Sequence, residues 1–494
     1  MIVKNNDLLF LLASILLAVG SAIAIANPDP KVGIYSVVGF LGLIAVLAIV
    51  IKPSFGAIVL IIAIFTNISS QLTDAGYPGI IKPLVAVAFG AVVLRNYYAV
   101  QFPADRKRTT LIEIFLVAYF LSMAASYLVA KDKSKALDAV VDLGKDMVII
   151  YTILFSLRTW ASWKQSVWVL IITTAALCLF GLYHIVTADY SQDFFGLNTV
   201  QIEGVQENTD ATSARISGPV HDPNFWAQII LVAMSLLLFQ IIHEKNIRLK
   251  ILSVFMMILL GVVLLNTYSR GGYLSLIIVV ALTFLVYERT IISPAMATLG
   301  VLVFLVVLVY LPANFRSRFE SLLLVSSSNG SGVYQDGSLQ GRSSVMLAGL
   351  AMFGRNPLLG VGAGNFQANY QEYNQILGIE FEYGERDPHS LYTQILSETG
   401  ILGALSFSGL VYFLITGLSK TIKSIKNISY FKPYVPWVMS LQVSIIGYLV
   451  SATFLHNAYI RYFWILFALA ITSMQLIDEE LSSMSALDKE RALP

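Results

Sequence analysis

"ILSVFMMILLGVVLLNTYSRGGYLSLIIVVALTFLV", Ile251 to Val286, is two apolar runs with a short polar joint at Asn266 to Gly272. Each run approaches the roughly 20 residues that an α-helix needs to cross a hydrocarbon layer about 30 Å thick. Arg270, inside the joint, is the one charge in the stretch. A helix on the surface of a soluble protein carries a polar face, and neither run has one. The stretch therefore reads as two membrane spans joined by a tight turn at one surface, and the same pattern recurs along the chain.

The composition agrees. Of the 494 residues 57% are hydrophobic and 13% charged, with a mean hydropathy of +0.74. Soluble domains carry about 25% charged residues. The fold class expected is all-α, a polytopic membrane bundle. Apolar runs lie near 8–26, 32–51, 54–70, 79–95, 110–130, 136–156, 164–187, 223–243, 250–266, 271–288, 293–311, 391–418, 435–455 and 458–477. Closely spaced early runs leave the count at about 12–14 spans. Leu8 to Ala26 is followed by "NPDPK" and further spans, so it reads as a retained helix and not as a leader. A net charge of +2 with scattered basic residues points to no nucleic-acid partner. The single Cys178, in an apolar run, excludes a disulfide framework and a cysteine metal site.

Basic residues collect in cytoplasmic loops. With an inside N-terminus the inner loops hold Lys52, Arg95 with "DRKR" (Asp105 to Arg108), Arg158, Lys164, "EKNIRLK" (Glu244 to Lys250), Arg289, Lys420, Lys423, Lys426 and Lys432. The outer "KDKSK", Lys131 to Lys135, breaks the trend. Both termini are expected in the cytoplasm. The organisation expected is N-terminal spans over 1–200, central spans with a first outer loop over 201–311, a large outer loop over 312–390, and C-terminal spans with a short tail over 391–494. The large loop, close to eighty residues, is too long for a passive connection. In it "GRSSVMLAGLAMFGRNP" reads as an amphipathic helix stopped at Asn356-Pro357. "LLGVGAGNF" reads as glycine turns, Ala368 to Leu377 as a second helix, and "SSSNGSG" as a flexible patch.

Charges at span ends are costly and mark candidate sites. Arg270 in "TYSRGGYLSL" sits at an outer boundary beside two glycines. It reads either as a phosphate-binding arginine or as a snorkelling interfacial one. Arg342 opens the loop helix, where free N–H groups favour an anion; its other reading is a solvated arginine. His389, in "GERDPHSLYTQILSETGILG" with Arg386 and Asp387 before it, ends the large loop where an apolar helix begins. It reads as a general base, a metal ligand or an interfacial histidine, and no paired ligands support the metal. Glu398 lies about two and a half turns further on, which points to pairing with another buried group. In "RISGPVHDPNFWAQ", Asp222 and Asn224 read as a helix cap before Pro223, while Arg215 and His221 remain open to lining a site. His184 is expected near the outer level and His243 near the cytoplasm. Asp138, Asp142 and Asp146, every four residues with Lys145 beside them, read either as a proton relay or as partners for basic residues on neighbouring helices. His456, Asn457 and Arg461 lie at the same level.

In this order, "SRGG" at a helix boundary, then a large loop with "GR", "NPLLGVGAGNF" and "DPHSLYTQILSETGILG", the motifs resemble the O-antigen ligase and polymerase superfamily. The resemblance is strongest over about 255–420, with "HDPNFWAQ" in support. It implies a GT-C-like helical bundle with a helical periplasmic loop over the site. It implies transfer of an undecaprenyl-diphosphate-linked oligosaccharide or polysaccharide to an acceptor hydroxyl, at the outer face of the bacterial plasma (inner) membrane. The acceptor is a lipid A-core glycolipid for ligases of lipopolysaccharide biosynthesis, a growing glycan for polymerases, or a protein for O-oligosaccharyltransferases. His389 matches the family's essential loop histidine, Arg270 its boundary arginine and Arg342 its loop arginine. The resemblance thus implies a metal-independent, inverting transfer with His389 as catalytic base. Arg270, Arg342, Arg215, Asp222, Asn224, Arg386 and Glu398 form the candidate substrate-binding set. A span count above the ligases' usual dozen leaves the acceptor open. The rival of another class is an ion-coupled transporter or lipid-linked glycan flippase built on the three aspartates.

Overall fold

The computed structural model describes residues 42–99, 108–203, 213–286, 337–378, 386–455 and 461–484. The runs expected at 8–26 and 293–311, the "SSSNGSG" patch, and His456 and Asn457 lie outside them. Among the described residues seven helices are long and apolar enough to cross a membrane: Thr110–Val129, Trp160–Thr187, Pro223–His243, Ile247–Leu265, Leu391–Ile425, Val435–Phe454 and Arg461–Ser483. The chain is an all-α polytopic membrane protein.

The runs expected at 79–95 and 271–288 form the helices Ile81–Ala99 and Arg270–Val286, which are not among the seven, and two further expected spans differ. The 54–70 run is broken into Pro53–Phe65 and Ile68–Asp74, bent by 55°. Asn67 takes the left-handed conformation at the break, one that asparagine tolerates better than most residues. Its amide donates to the Pro219 carbonyl at 3.0 Å, tying the break to the segment that precedes Pro223–His243. Lys133–Ser156 is a continuous helix of 24 residues, but Asp138, Asp142, Lys145 and Asp146 keep it out of the apolar set.

Burial sorts the spans into an interior and a rim. Pro223–His243, Val435–Phe454 and Arg461–Ser483 are about four-fifths enclosed by protein, whereas Thr110–Val129, Ile247–Leu265 and Leu391–Ile425 are one-third enclosed. Small residues let the inner helices approach: a Cβ at Gly272 would come within 2.8 Å of Ala227. Polar bonds cross between helices, from Trp163 Nε1 to the Leu469 carbonyl at 2.9 Å and from Gln228 Nε2 to the Tyr448 carbonyl at 3.0 Å. Such bonds are worth about 0.6–2 kcal/mol each in a membrane.

The two ends of the bundle differ. One carries the ion pairs Arg108–Asp478 at 3.1 Å and Arg158–Glu479 at 4.0 Å. The other carries the loop helices Gly337–Arg355 and Phe366–Leu377, and an antiparallel hairpin of Thr199–Glu203 with Ser213–Gly218 that hydropathy did not anticipate.

Candidate active site

The site end is built on a glycine turn set into a broken helix. Leu391–Ile425 is interrupted at Gly400, whose φ of 64° and ψ of −160° are open to glycine and little else. Residues 357–362 pair with the break. Val361 N–H donates to Ser397 O at 2.8 Å, Gly362 N–H to Glu398 O at 3.0 Å, and Ile401 N–H to Pro357 O at 2.8 Å. The fit leaves no room for side chains on Gly360, Gly362 or Gly400, and a Cβ on Gly362 would lie 2.5 Å from Ala130.

Glu398, fully buried, locks this turn. It accepts from Gly364 N–H at 3.0 Å, from Phe366 N–H at 3.3 Å and from the Gln394 amide at 3.4 Å. Phe366 opens a helix, so the carboxylate also meets that helix's positive end. Asn365, between the two backbone donors, accepts from Asp132 N–H at 2.6 Å and donates to Asp132 O at 3.0 Å. Gln367 then donates to Asp387 at 2.6 Å and faces Lys135 Nζ at 3.4 Å, reaching the segment that carries His389. Lys131 pairs with Glu372 at 3.2 Å. The "KDKSK" exception to the charge rule thus has a physical cause: two of its lysines dock the loop helix.

His389 is half-buried, next to buried Pro388, one residue ahead of the N-cap Ser390 of Leu391–Ile425. Tyr392, on the first turn of that helix, donates its hydroxyl to Leu449 O at 2.8 Å. Five residues beyond Leu449, Phe454 packs against Gly271, the neighbour of Arg270. Arg270 itself starts the helix Arg270–Val286 and is half-buried.

Arg215, on the second hairpin strand, is buried and held from two sides. Its Nε donates to Thr267 O at 3.0 Å and its Nη2 to Asn224 Oδ1 at 3.1 Å. Asp222 caps Pro223–His243 by accepting from Asn224 N–H at 2.7 Å and Phe225 N–H at 3.2 Å. The cap therefore sets Asn224, and Asn224 sets Arg215, three residues from Arg270 through Thr267. His221, left-handed with φ of 57°, lies 3.1 Å from Gln71, and Gln71 also donates to Pro219 O at 3.2 Å.

Arg342 is placed differently from expectation. The loop helix starts at Gly337, so Arg342 is past its first turn and the free N–H groups of the helix start are not beside it. Its side chain lies outside the described residues. Arg386 is half-buried at the start of the His389 segment. The aspartate line does not share one environment. Asp138 is exposed, Asp142 pairs with Lys145 at 2.7 Å, and Asp146 is buried with Arg461 Nε at 3.0 Å.

His184 is buried with Nδ1 donating to Asp189 O at 2.6 Å, its ring among Tyr183, Tyr190 and Phe194. Asp189 is exposed, and hydrogen bonds from the Ser191 hydroxyl and backbone hold its carboxyl below the ordinary carboxylate range. His243 lies at the opposite end of Pro223–His243, with Nδ1 2.8 Å from Phe239 O. Among the described residues no three of His, Cys, Asp and Glu converge on a point that would hold a metal.

Residues 254–408 match the family model described as O-Antigen ligase. The matched stretch takes in Arg270, Arg342, Arg386, His389 and Glu398, and ends before it would reach Arg215, Asp222 or Asn224 on the N-terminal side. No curated protein matches the chain.

Proposed function

We propose, taking the O-antigen ligase and polymerase superfamily as the family of this chain, that it moves a glycan from an undecaprenyl-diphosphate carrier to an acceptor hydroxyl at the outer face of the bacterial plasma membrane. The observation that carries the reading is the family match, which spans Arg270 to His389 and so covers both the boundary arginine and the loop histidine. A glycan-transfer role within the superfamily follows from that match. The donor, the chemistry and the residue roles below are our reading of the site.

A lipid carrier keeps its diphosphate at the headgroup level while its sugar projects into water. His389 stands where a polar segment meets the start of a span, which suits that geometry. In the reaction, His389 accepts the proton of the acceptor hydroxyl, whose oxygen forms a bond to the anomeric carbon from the face opposite the carrier. The bond from that carbon to the diphosphate oxygen breaks, and its electron pair leaves with the diphosphate, so the configuration inverts. General-base help of this kind contributes about 10²–10⁴-fold. Arg270 and Arg342 bind the diphosphate and stabilise the charge that grows on it. One such preorganised donor is worth about 3–4 kcal/mol. With arginines supplying the positive charge, the transfer needs no metal.

Arg215 has a guanidinium tied to Thr267 and Asn224, and acts with Arg270 on the donor. Asp222, Asn224 and Glu398 are positioning residues: the bonds described above go to backbone, to Arg215 and to Gln394. Arg386 binds acceptor or glycan beside His389. A ligase of O-antigen type is the first choice, with a polysaccharide polymerase or protein O-oligosaccharyltransferase differing only in acceptor.

The test is purified protein with a synthetic undecaprenyl-diphosphate oligosaccharide, in chelator, across glycolipid, glycan and protein acceptors. Release of undecaprenyl diphosphate with a product inverted at the anomeric carbon is expected. A product of retained configuration, or turnover that stops in chelator and returns with a divalent metal, would contradict the mechanism.

A further inference from the structure

The loop helix Gly337–Arg355 is apolar on two faces, and the protein covers one of them. Val345, Ala348 and Met352 are buried against Phe366, Tyr370 and Tyr373. Met346, Leu347 and Leu350, on the other face, are 44–48% exposed, and Leu358 just past the helix is 65% exposed. From Ser343 to Gly354 no residue is charged. A helix facing water turns polar residues outward; one that is apolar all round belongs in a core or in lipid. Twelve residues rise only about 18 Å against a hydrocarbon layer of about 30 Å, the length of an interfacial or re-entrant segment.

The neighbouring contacts identify what lies against the open face. Leu402 N–H donates to Leu358 O at 3.5 Å, beside the Ile401 to Pro357 bond. Leu402 and Leu405 are themselves exposed, on the outward side of the Leu391–Ile425 span. Counting about 20 residues back from Lys420 brings the outer edge of the hydrocarbon near Gly400. The exposed Leu358, just past the loop helix, thus adjoins the outward side of a span, at the depth where hydrocarbon begins. Arg342 precedes the apolar stretch in the sequence. Arg355 ends it, exposed, with its guanidinium 5.6 Å from the Tyr373 ring centre. Basic residues at both ends suit a segment whose termini stay with headgroups.

We propose that Gly337–Arg355 is an interfacial helix, seated in the leaflet on the site side of the membrane with Met346, Leu347, Leu350 and Leu358 in lipid. The proposal stands on hydropathy and packing and does not rest on the glycan-transfer reading. It makes this helix a membrane-seated element and not part of a domain held above the bilayer. The other occupant that would fit such a face is a second copy of the chain.

The test uses full-length protein in phosphatidylcholine vesicles, in a Cys178→Ala background. Single variants Met346→Cys and Leu350→Cys carry an environment-sensitive fluorophore, with Leu347→Cys as replacement where one fails to insert. Glu372→Cys, on the water-exposed pair with Lys131, is the reference. Spin-labelled acyl chains report lipid contact, and iodide reports water. Relative to the reference, positions 346 and 350 should be quenched about three-fold more by the acyl label and about three-fold less by iodide, as expected for an apolar face buried at the headgroup boundary. Iodide quenching equal to the reference would overturn the proposal. So would protection from both quenchers, which would mean that protein covers the face.

Discussion

The buried carboxylate of Glu398 is offset by donors that are mostly backbone: Gly364 N–H, Phe366 N–H and the Gln394 amide. Glutamine at this position keeps one acceptor oxygen and turns an NH₂ toward the other donor. Glu398→Gln should therefore lose about 1–3 kcal/mol, the cost of a buried donor left unpaired, and Glu398→Ala more. Thermal melts in detergent check this; midpoints equal to wild type would mean that the turn holds without the carboxylate. Arg215 depends on Asn224 in the same way. Asn224→Ala frees one side of a guanidinium that we propose binds the donor, and small misplacements of that kind cost up to about 10²-fold in rate. A fall in kcat together with a loss of about 1–3 kcal/mol of stability, from the buried donor left unpaired, is expected, and full activity would remove Arg215 from the site. Arg270→Lys should be severely impaired too, because an ammonium cannot reproduce the planar fork that binds phosphate oxygens. Near-normal turnover would mean that Arg270 only snorkels.

At the scale of elements, the joint between the glycine turn and the broken helix is where backbone geometry is least forgiving. Gly400→Ala adds a Cβ against the Leu358 carbonyl at a φ of 64°, and such strain alone costs on the order of 1–3 kcal/mol. Little monodisperse protein should survive purification. Gly354→Ala makes the opposite prediction: its Cβ meets nothing within 4 Å, and alanine in a helix gains about 0.5–1 kcal/mol. Its melting midpoint should rise slightly. The spans were legible in the sequence because a lipid solvent demands long apolar runs, and Pro223–His243 begins and ends where the hydropathy run does. The break at Gly400 was not legible, since a lone glycine inside a helical pattern does not by itself mark a break. The hairpin was hidden for a related reason: both strands are short, five residues in Thr199–Glu203 and six in Ser213–Gly218.

Across the whole molecule, charge is divided by function. Arg108 with Asp478 and Arg158 with Glu479 tie helix ends together, while Arg270 starts a helix and Arg386 and His389 lie in the segment that precedes Leu391–Ile425. The aspartates that suggested a relay are separated by environment, so Asp138→Asn with Asp142→Asn should leave transfer within about two-fold of wild type, as for partly exposed ion pairs worth about 0–1 kcal/mol. Loss of activity in that double variant would revive the transporter reading. The residues proposed for the site come from motif order: His389 and Arg270 sit at polar joints between apolar runs. What holds them there could not be read that way. Asn365, Gln367 and Gln71 act across 148 to 233 residues of sequence, and long-range hydrogen bonds have no local signature.

The most direct measurement is single-turnover glycan transfer from a synthetic undecaprenyl-diphosphate donor by wild type and His389→Ala, with melting midpoints taken on the same preparations. His389 as general base predicts a loss of about 10²–10⁴-fold with the midpoint unchanged. Equal turnover in the two proteins would contradict it and would make His389 an interfacial residue.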